Sequence, residues 1–119
     1  MSVNALLEKI KTNPDSIEFS DVINTIESNY QYTPTRFSNG LGNHTTFNEA
    51  GTNEGSCKIF AFGQLNNLDQ QQTLACFGHY YRQDVLQHPD NNDHANIRHF
   101  MKHGWDGIQF EGDALSLIL

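Results

Sequence analysis

A chain of 119 residues that is 37% hydrophobic suits one domain around one core, spanning residues 1–119. Seven basic residues against fourteen acidic ones leave a formal charge of −7, which repels phosphate backbones and anionic surfaces and argues against nucleic acid as a partner. No apolar run approaches the ~20 residues of a membrane span, and the opening MSVNALLEKIKTN lacks the basic start and unbroken apolar stretch of a secretory signal, so a soluble chain without membrane insertion is expected.

Leu6, Leu7 and Ile10 share one face of a first helix over about Val3 to Lys11, stopped by Asn13-Pro14. Ser20 is placed to cap a second helix, about Asp21 to Tyr30, whose Val22, Ile23, Ile26 and Tyr30 recur at helical spacing. From Gln31 to Thr52 the composition turns to Thr, Asn, Gly and Pro. Asn39-Gly40, between Arg36-Phe37 and His44 to Phe47, predicts a short hairpin, and Asn43 to Gly55 is the loop most suited to binding.

Ser56 is expected to cap a third helix, Cys57 to Asn67, apolar around most of its circumference and therefore central; Lys58 to Phe62 also fits a short buried strand. After a break at Asn66 to Asp69, the spacing of Leu74, Phe77, Gly78, Tyr81 and Val85 predicts one helix from Gln70 to Gln87, ended by His88-Pro89. Its other face carries Cys76, His79, Tyr80 and Gln83, an aromatic set that is either buried or lines a site. Asp93 is read as the cap of a last helix, about His94 to His103, with Ile97, Phe100 and Met101 facing the core and Gly104 at its end. Trp105 to Glu111 reads as an extended strand. The apolar tail DALSLIL is expected in a groove or against another copy.

The expected class is thus α+β, mainly α, with about five helices and one or two short strands. Phe60, Phe77, Tyr81, Ile97 and Phe100 are its expected core.

Two cysteines, Cys57 and Cys76, suit buried free thiols better than a disulfide scaffold. Cys57 in the first turn of its helix could be an activated nucleophile, with His79 as base and Glu54 or Asp84 as acidic partner; a buried structural thiol is the commoner arrangement. Asn53, Glu54 and Ser56, with Tyr80 across from them, are candidate ligand-binding residues. For Asn53 and Ser56, turn and capping roles are favoured. Gly51 and Gly55 flank a helix start without matching a phosphate-loop or dinucleotide spacing, and no cofactor is implied. Of the six histidines, His99 and His103 have metal-pair spacing, but they lie about 200° and 240° from Ile97 on the solvent side, so no metal site is expected.

Several runs occur in order. They are Tyr32-Thr33-Pro34-Thr35-x-Phe37-x-Asn39-Gly40, Asn53-x-Gly55-Ser56-Cys57-Lys58-x-Phe60-Ala61-Phe62, Thr73-Leu74-Ala75-Cys76-Phe77-Gly78, and Asp93-His94-x-Asn96-Ile97-Arg98 with Gly104-Trp105. Together they make the chain resemble the HopJ family, named for a type III secretion effector, from about Leu6 to Gly112. The resemblance implies an effector-like interaction module with an unidentified protein or small-molecule partner, in the bacterial cytoplasm or, where exported, inside a host cell. It brings no catalytic residues with it. A helix beginning by residue 3 departs from the disordered, Ser-rich start usual for that export route. Beside the interaction module stand two alternatives: a small-ligand binding protein, with its pocket between the Asn43 to Gly55 loop and the Cys76 to Gln83 face, and a hydrolase or transferase using Cys57 and His79.

Overall fold

The computed structural model of the chain describes residues 1–118. Helix α1, Val3–Thr12, is capped by the Ser2 hydroxyl, which accepts from the Ala5 N–H, and buries Leu6 and Ile10. Helix α2, Phe19–Asn29, begins from Glu18, before the expected Ser20, and buries Val22, Thr25 and Ile26. The chain then leaves the helix directly into β1, Tyr30–Tyr32.

The expected hairpin is present. Strand β2, Phe37–Asn39, pairs antiparallel with β3, Thr46–Asn48, with Asn39 opposite Thr46. Gly40 turns the chain at φ 115°, where a Cβ would lie 2.2 Å from the His44 carbonyl oxygen. The closing segment contributes β4, Ile108–Phe110, on the other side of β2, and β5, Leu115–Leu117, which pairs antiparallel with β1. The mainly helical α+β class is therefore built, among the described residues, with five strands of three residues each, in a two-stranded and a three-stranded sheet. The apolar tail is ordered by β1 as far as Ile118, whose N–H donates to the Asn29 carbonyl; its last residue, Leu119, lies outside the described residues.

Helix α3, Glu54–Leu65, runs through the centre and buries Cys57, Ile59, Phe60, Ala61 and Phe62. It starts three residues before the expected Cys57. Asn53, in a left-handed conformation at φ 48°, is its N-cap, and Ser56 lies inside the first turn. The long helix expected from Gln70 to Gln87 is broken. Helix α4, Gln70–Ala75, opens with a reciprocal capping box between Asp69 and Gln72. Gly78 then takes φ +58°, because the backbone of the Ile17–Phe19 segment passes so close that a Cβ there would meet the Phe19 nitrogen at 2.7 Å. The chain resumes as a π-helical turn, Tyr80–Val85, in which the Leu86 N–H reaches the Tyr81 carbonyl.

Helix α5, Ala95–His103, ends at Gly104 as expected, but its N-cap is His94 at φ 51°. Asp93, expected there, instead pairs its carboxylate with Arg98 at 2.7 Å. Trp105 sits in a helical turn over Gly104–Gly107 rather than in a strand, its indole N–H donating to the Leu68 carbonyl.

The core is an aromatic stack centred on Phe60, which contacts Phe37, Phe77, Phe100 and Trp105. Phe60, Phe77, Ile97 and Phe100 are buried as expected. Tyr81 is only half-buried, because the break at Gly78 rotates it away from the α4 stripe, and Met101 is exposed on the outer face of α5. Phe77→Ala is expected to cost about 3–5 kcal/mol in urea unfolding, as the truncation of a buried aromatic side chain packed against Phe60.

Candidate functional site

The starts of α3 and α5 lie side by side because four asparagines join them beneath the surface. Asn48 and Asn96 exchange side-chain amide bonds at 3.2 and 2.9 Å. Asn39 donates to the Asn96 backbone and side-chain oxygens, and Asn53 donates to the Asn48 side-chain oxygen at 2.8 Å. Three strand or helix residues of this network, Asn39, Asn48 and Asn96, are buried. Strand β2, strand β3 and both helix starts are thereby held in one register.

Above the network opens a cleft of about 470 Å³, within the usual range for small-ligand sites. Asn53, Gly55 and Ser56 form one wall, and His94, Ala95, Asn96 and Ile97 form the opposite one. Phe19, Phe77 and Tyr80 supply an aromatic side, and Thr46 closes the β3 end. Neither helix has a side-chain cap, so the first-turn N–H groups of Gly55, Ser56, Ala95 and Asn96 have no intrahelical acceptor. The Tyr80 ring meets the Phe19 ring edge-on at 5.0 Å and the His94 ring at 5.3 Å. His94 Nε2 is 3.1 Å from Asp84 Oδ2, which orients the imidazole along the cleft wall.

Of the sequence candidates, Asn53, Ser56 and Tyr80 meet in this cleft. Glu54 does not; it lies near Tyr32 and Cys57 on the other side of the α3 start. Cys57 is fully buried, with its Sγ donating to the Thr35 carbonyl at 3.7 Å. His79 is exposed and stacks on Tyr80 at 4.2 Å. No hydrogen bond joins Cys57 to His79, neither lines the cleft, and Asp84 serves His94 instead. Phe19, Thr46, His94 and Asn96 are the cleft residues that sequence reasoning passes over; His94 and Asn96 stand in the Asp93 to Arg98 run but offer no recognisable ligand spacing.

Burial pushes the Cys57 thiol up, against the lowering effect of the hydrogen bonds around it. The Tyr32 hydroxyl is likewise raised by burial and by the Glu54 carboxylate beside it, yet it has no acceptor in hydrogen-bonding geometry. Cys76, buried in the core, is pushed up from 9.0 to about 12 by desolvation alone.

His99 departs from the expected solvent face. It is half-buried, with Nδ1 3.0 Å from the Thr46 hydroxyl and 3.3 Å from the Asn39 carbonyl. His103 is half-buried too, its ring 6.0 Å from that of His44 and its Nε2 without a partner. The cause is the β2–β3 hairpin, which folds over the side of α5 that a lone helix would show to water. Among the described residues, no three His, Cys, Asp or Glu side chains gather in a way that could hold a metal ion.

The model of the family described as HopJ type III effector protein matches residues 3–115. A crystal structure described as that of the unknown function protein VPA0580 superposes with a TM-score of 0.94 at 53% sequence identity, covering 99% of this chain and 95% of its own. No curated protein matches the chain.

Iodoacetamide at pH 6.5 is expected to alkylate Cys57 more slowly in the folded protein than a free model thiol, and at ordinary rates only after denaturation. Rapid labelling abolished by His79→Ala would identify an activated thiol instead. The raised Cys76 thiol also carries a pH signature. Its unfolded form ionises near 9.0 and its folded form near 12, so stability is full below pH 9 and falls as pH rises through this window. Urea titrations at pH 8, 9 and 10 are expected to show a loss of stability above pH 9 that is smaller in Cys76→Ala, the remainder coming from the other raised groups, Cys57 among them.

Proposed function

This chain belongs to the HopJ type III effector protein family, and we propose that it is a non-enzymatic binding protein whose recognition site is the cleft between the starts of α3 and α5. The observation that carries this reading is the convergence of Asn53, Ser56 and Tyr80 with His94 and Asn96 around a cavity of ligand size. The chemistry of the walls selects the ligand class. Free first-turn N–H groups and the amide of Asn53 favour a hydrogen-bond acceptor such as a carboxylate, and Phe19, Phe77, Tyr80 and Ile97 favour an apolar or planar body attached to it.

The small-ligand reading and the interaction-module reading meet here, since an occupied cleft would also settle the surface that a partner protein meets. A hydrolase or transferase built on Cys57 and His79 has less support, because the thiol is buried and both residues stand outside the cleft. The place of action in this reading is the cytoplasm of the producing bacterium, or a host cell where a family member is delivered by type III secretion.

The test is an amide-detected NMR screen of carboxylate-bearing aromatic fragments. Binding is expected to move the resonances of Gly55, Ser56, Ala95 and Asn96, with Kd below about 1 mM for the best fragments. Ser56→Tyr, which fills the cleft from the α3 wall, is expected to remove those shifts while leaving the rest of the spectrum in place. Fragments that bind elsewhere, or that bind Ser56→Tyr unchanged, would overturn the reading.

A further inference from the structure

No Lys, Arg, Asp or Glu lines the cleft between the starts of α3 and α5; His94 is its one imidazole, the side chain type that changes charge between pH 5 and 8. Carboxylates stand behind that ring. Nε2 lies 3.1 Å from Asp84 Oδ2 and 4.0 Å from Asp93 Oδ2, and the other Asp93 oxygen meets Arg98 at 2.7 Å. A carboxylate can only accept, so the Nε2–H is turned to Asp84 and the proton that comes and goes is the one on Nδ1. Nδ1 makes no hydrogen bond within the protein among the described residues and is not buried.

The other titratable neighbours keep outside the cavity. Glu54 lies toward Tyr32 and Cys57, and the exposed His79 stacks on Tyr80 without lining the cleft. Asp93 is answered by Arg98, so with a neutral imidazole the Asp84 carboxylate is the uncompensated charge behind the α5 wall. An anion entering there, in a chain of formal charge −7, is repelled. A proton on His94 cancels the charge of Asp84 and removes the nearest part of that repulsion.

We propose that the cleft takes up an anionic ligand together with a proton, which is held on His94. This rests on the binding reading of the same cleft and adds to it the charge of the ligand and the pH range in which it is held. A neutral ligand of the same shape gains nothing from the proton, whereas a carboxylate does. The coupling is reciprocal: the bound anion raises the pH at which His94 releases its proton. Affinity is therefore full below the midpoint of the free protein, falls as pH rises to the midpoint of the complex, and is level above it. His94 and Asp84 remain 29% and 42% exposed, so solvent screening holds the coupling to about tenfold.

The probes are 2-naphthoate, ionised throughout the range used, and its neutral counterpart 2-naphthamide. Both are titrated by NMR between about pH 5.5 and 8.5 in about 0.15 M salt, which screens the change in overall charge. Naphthoate is expected to bind the cleft about tenfold more tightly at the acid end, while the affinity of naphthamide stays within about twofold. In the parent protein, saturating naphthoate is expected to raise the titration midpoint of the His94 ring by about one pH unit and to leave those of His44 and His88 in place. His94→Asn, which puts a residue tolerant of the left-handed backbone at this position, is expected to bind naphthoate with the weaker affinity at every pH. If neither compound moves the cleft resonances, the binding reading fails and the proposal with it. If naphthoate binds the cleft with an affinity independent of pH, or leaves the His94 midpoint unmoved, the binding reading stands and proton uptake is overturned. A pH dependence that survives in His94→Asn also overturns it, by assigning the proton to another group.

Discussion

The reciprocal amide pair between Asn48 and Asn96 is the contact on which the arrangement of the molecule depends. It joins the end of β3 to the first turn of α5, and Asn39 and Asn53 extend it to β2 and to the start of α3. Each bond contributes only about 1 kcal/mol net, but leaving one of these buried amides without its partner costs about 1–3 kcal/mol. A network of this kind tolerates one geometry, whereas apolar side chains of the same volume could slide. Strands of three residues have little register information of their own, so the asparagines set the position of the hairpin against the two helices. Among the described residues, the Asn39 side-chain oxygen is the one buried amide atom of the network left without a partner.

Tertiary side-chain bonds, one of them within this network, accompany two backbone conformations that an L-residue ordinarily avoids. Asn53 and His94 both stand in the left-handed region, each immediately before a helix. Asn tolerates that conformation better than most residues; for His the cost is of order 1 kcal/mol or more. Side-chain bonds hold both in place, Asn53 to Asn48 and His94 to Asp84. The consequence is local. A usual cap would fold its own side chain back over the first-turn N–H groups, but these two side chains bond to Asn48 and Asp84 instead and leave the first turns of both helices without a side-chain cap.

Those conformations also mark the limit of what the chain discloses when read alone. The apolar periodicity of α1, α2 and α5 and the apolar run of α3 place each helix within a few residues, and Asn39-Gly40 locates the hairpin. The helix starts are misplaced at Asn53 and His94 because tertiary hydrogen bonds, not local capping preference, choose them. Gly78 fits the helical stripe of Leu74, Phe77 and Tyr81 so well that the break there is invisible in the pattern; only the cost of glycine within a helix hints at it, and the reason lies in the backbone near Phe19, sixty positions away in a different element. Ser56 and Tyr80 were legible as site candidates because polar and aromatic residues at a helix start and on a second helix face are unusual. His94 was read only as the first residue of the last helix, and Asn96 carried no signal until its partners were in view.

Cys57 shows how magnitudes decide between two readings of one residue. As the fourth residue of α3 it lies in the first turn, where the helix dipole stabilises a thiolate by roughly 0.3–1 kcal/mol. Hydrogen bonds around it act in the same direction. Against them stands removal from water, which for an ion in a protein interior costs several kcal/mol even after relaxation. The Sγ is fully enclosed beneath the Tyr32 to Thr35 segment, so the larger effect wins and the thiol is held in its protonated form. A cysteine at the start of a helix is therefore a nucleophile only where the first turn meets solvent, and on this fold the side of α3 that does so carries Ser56.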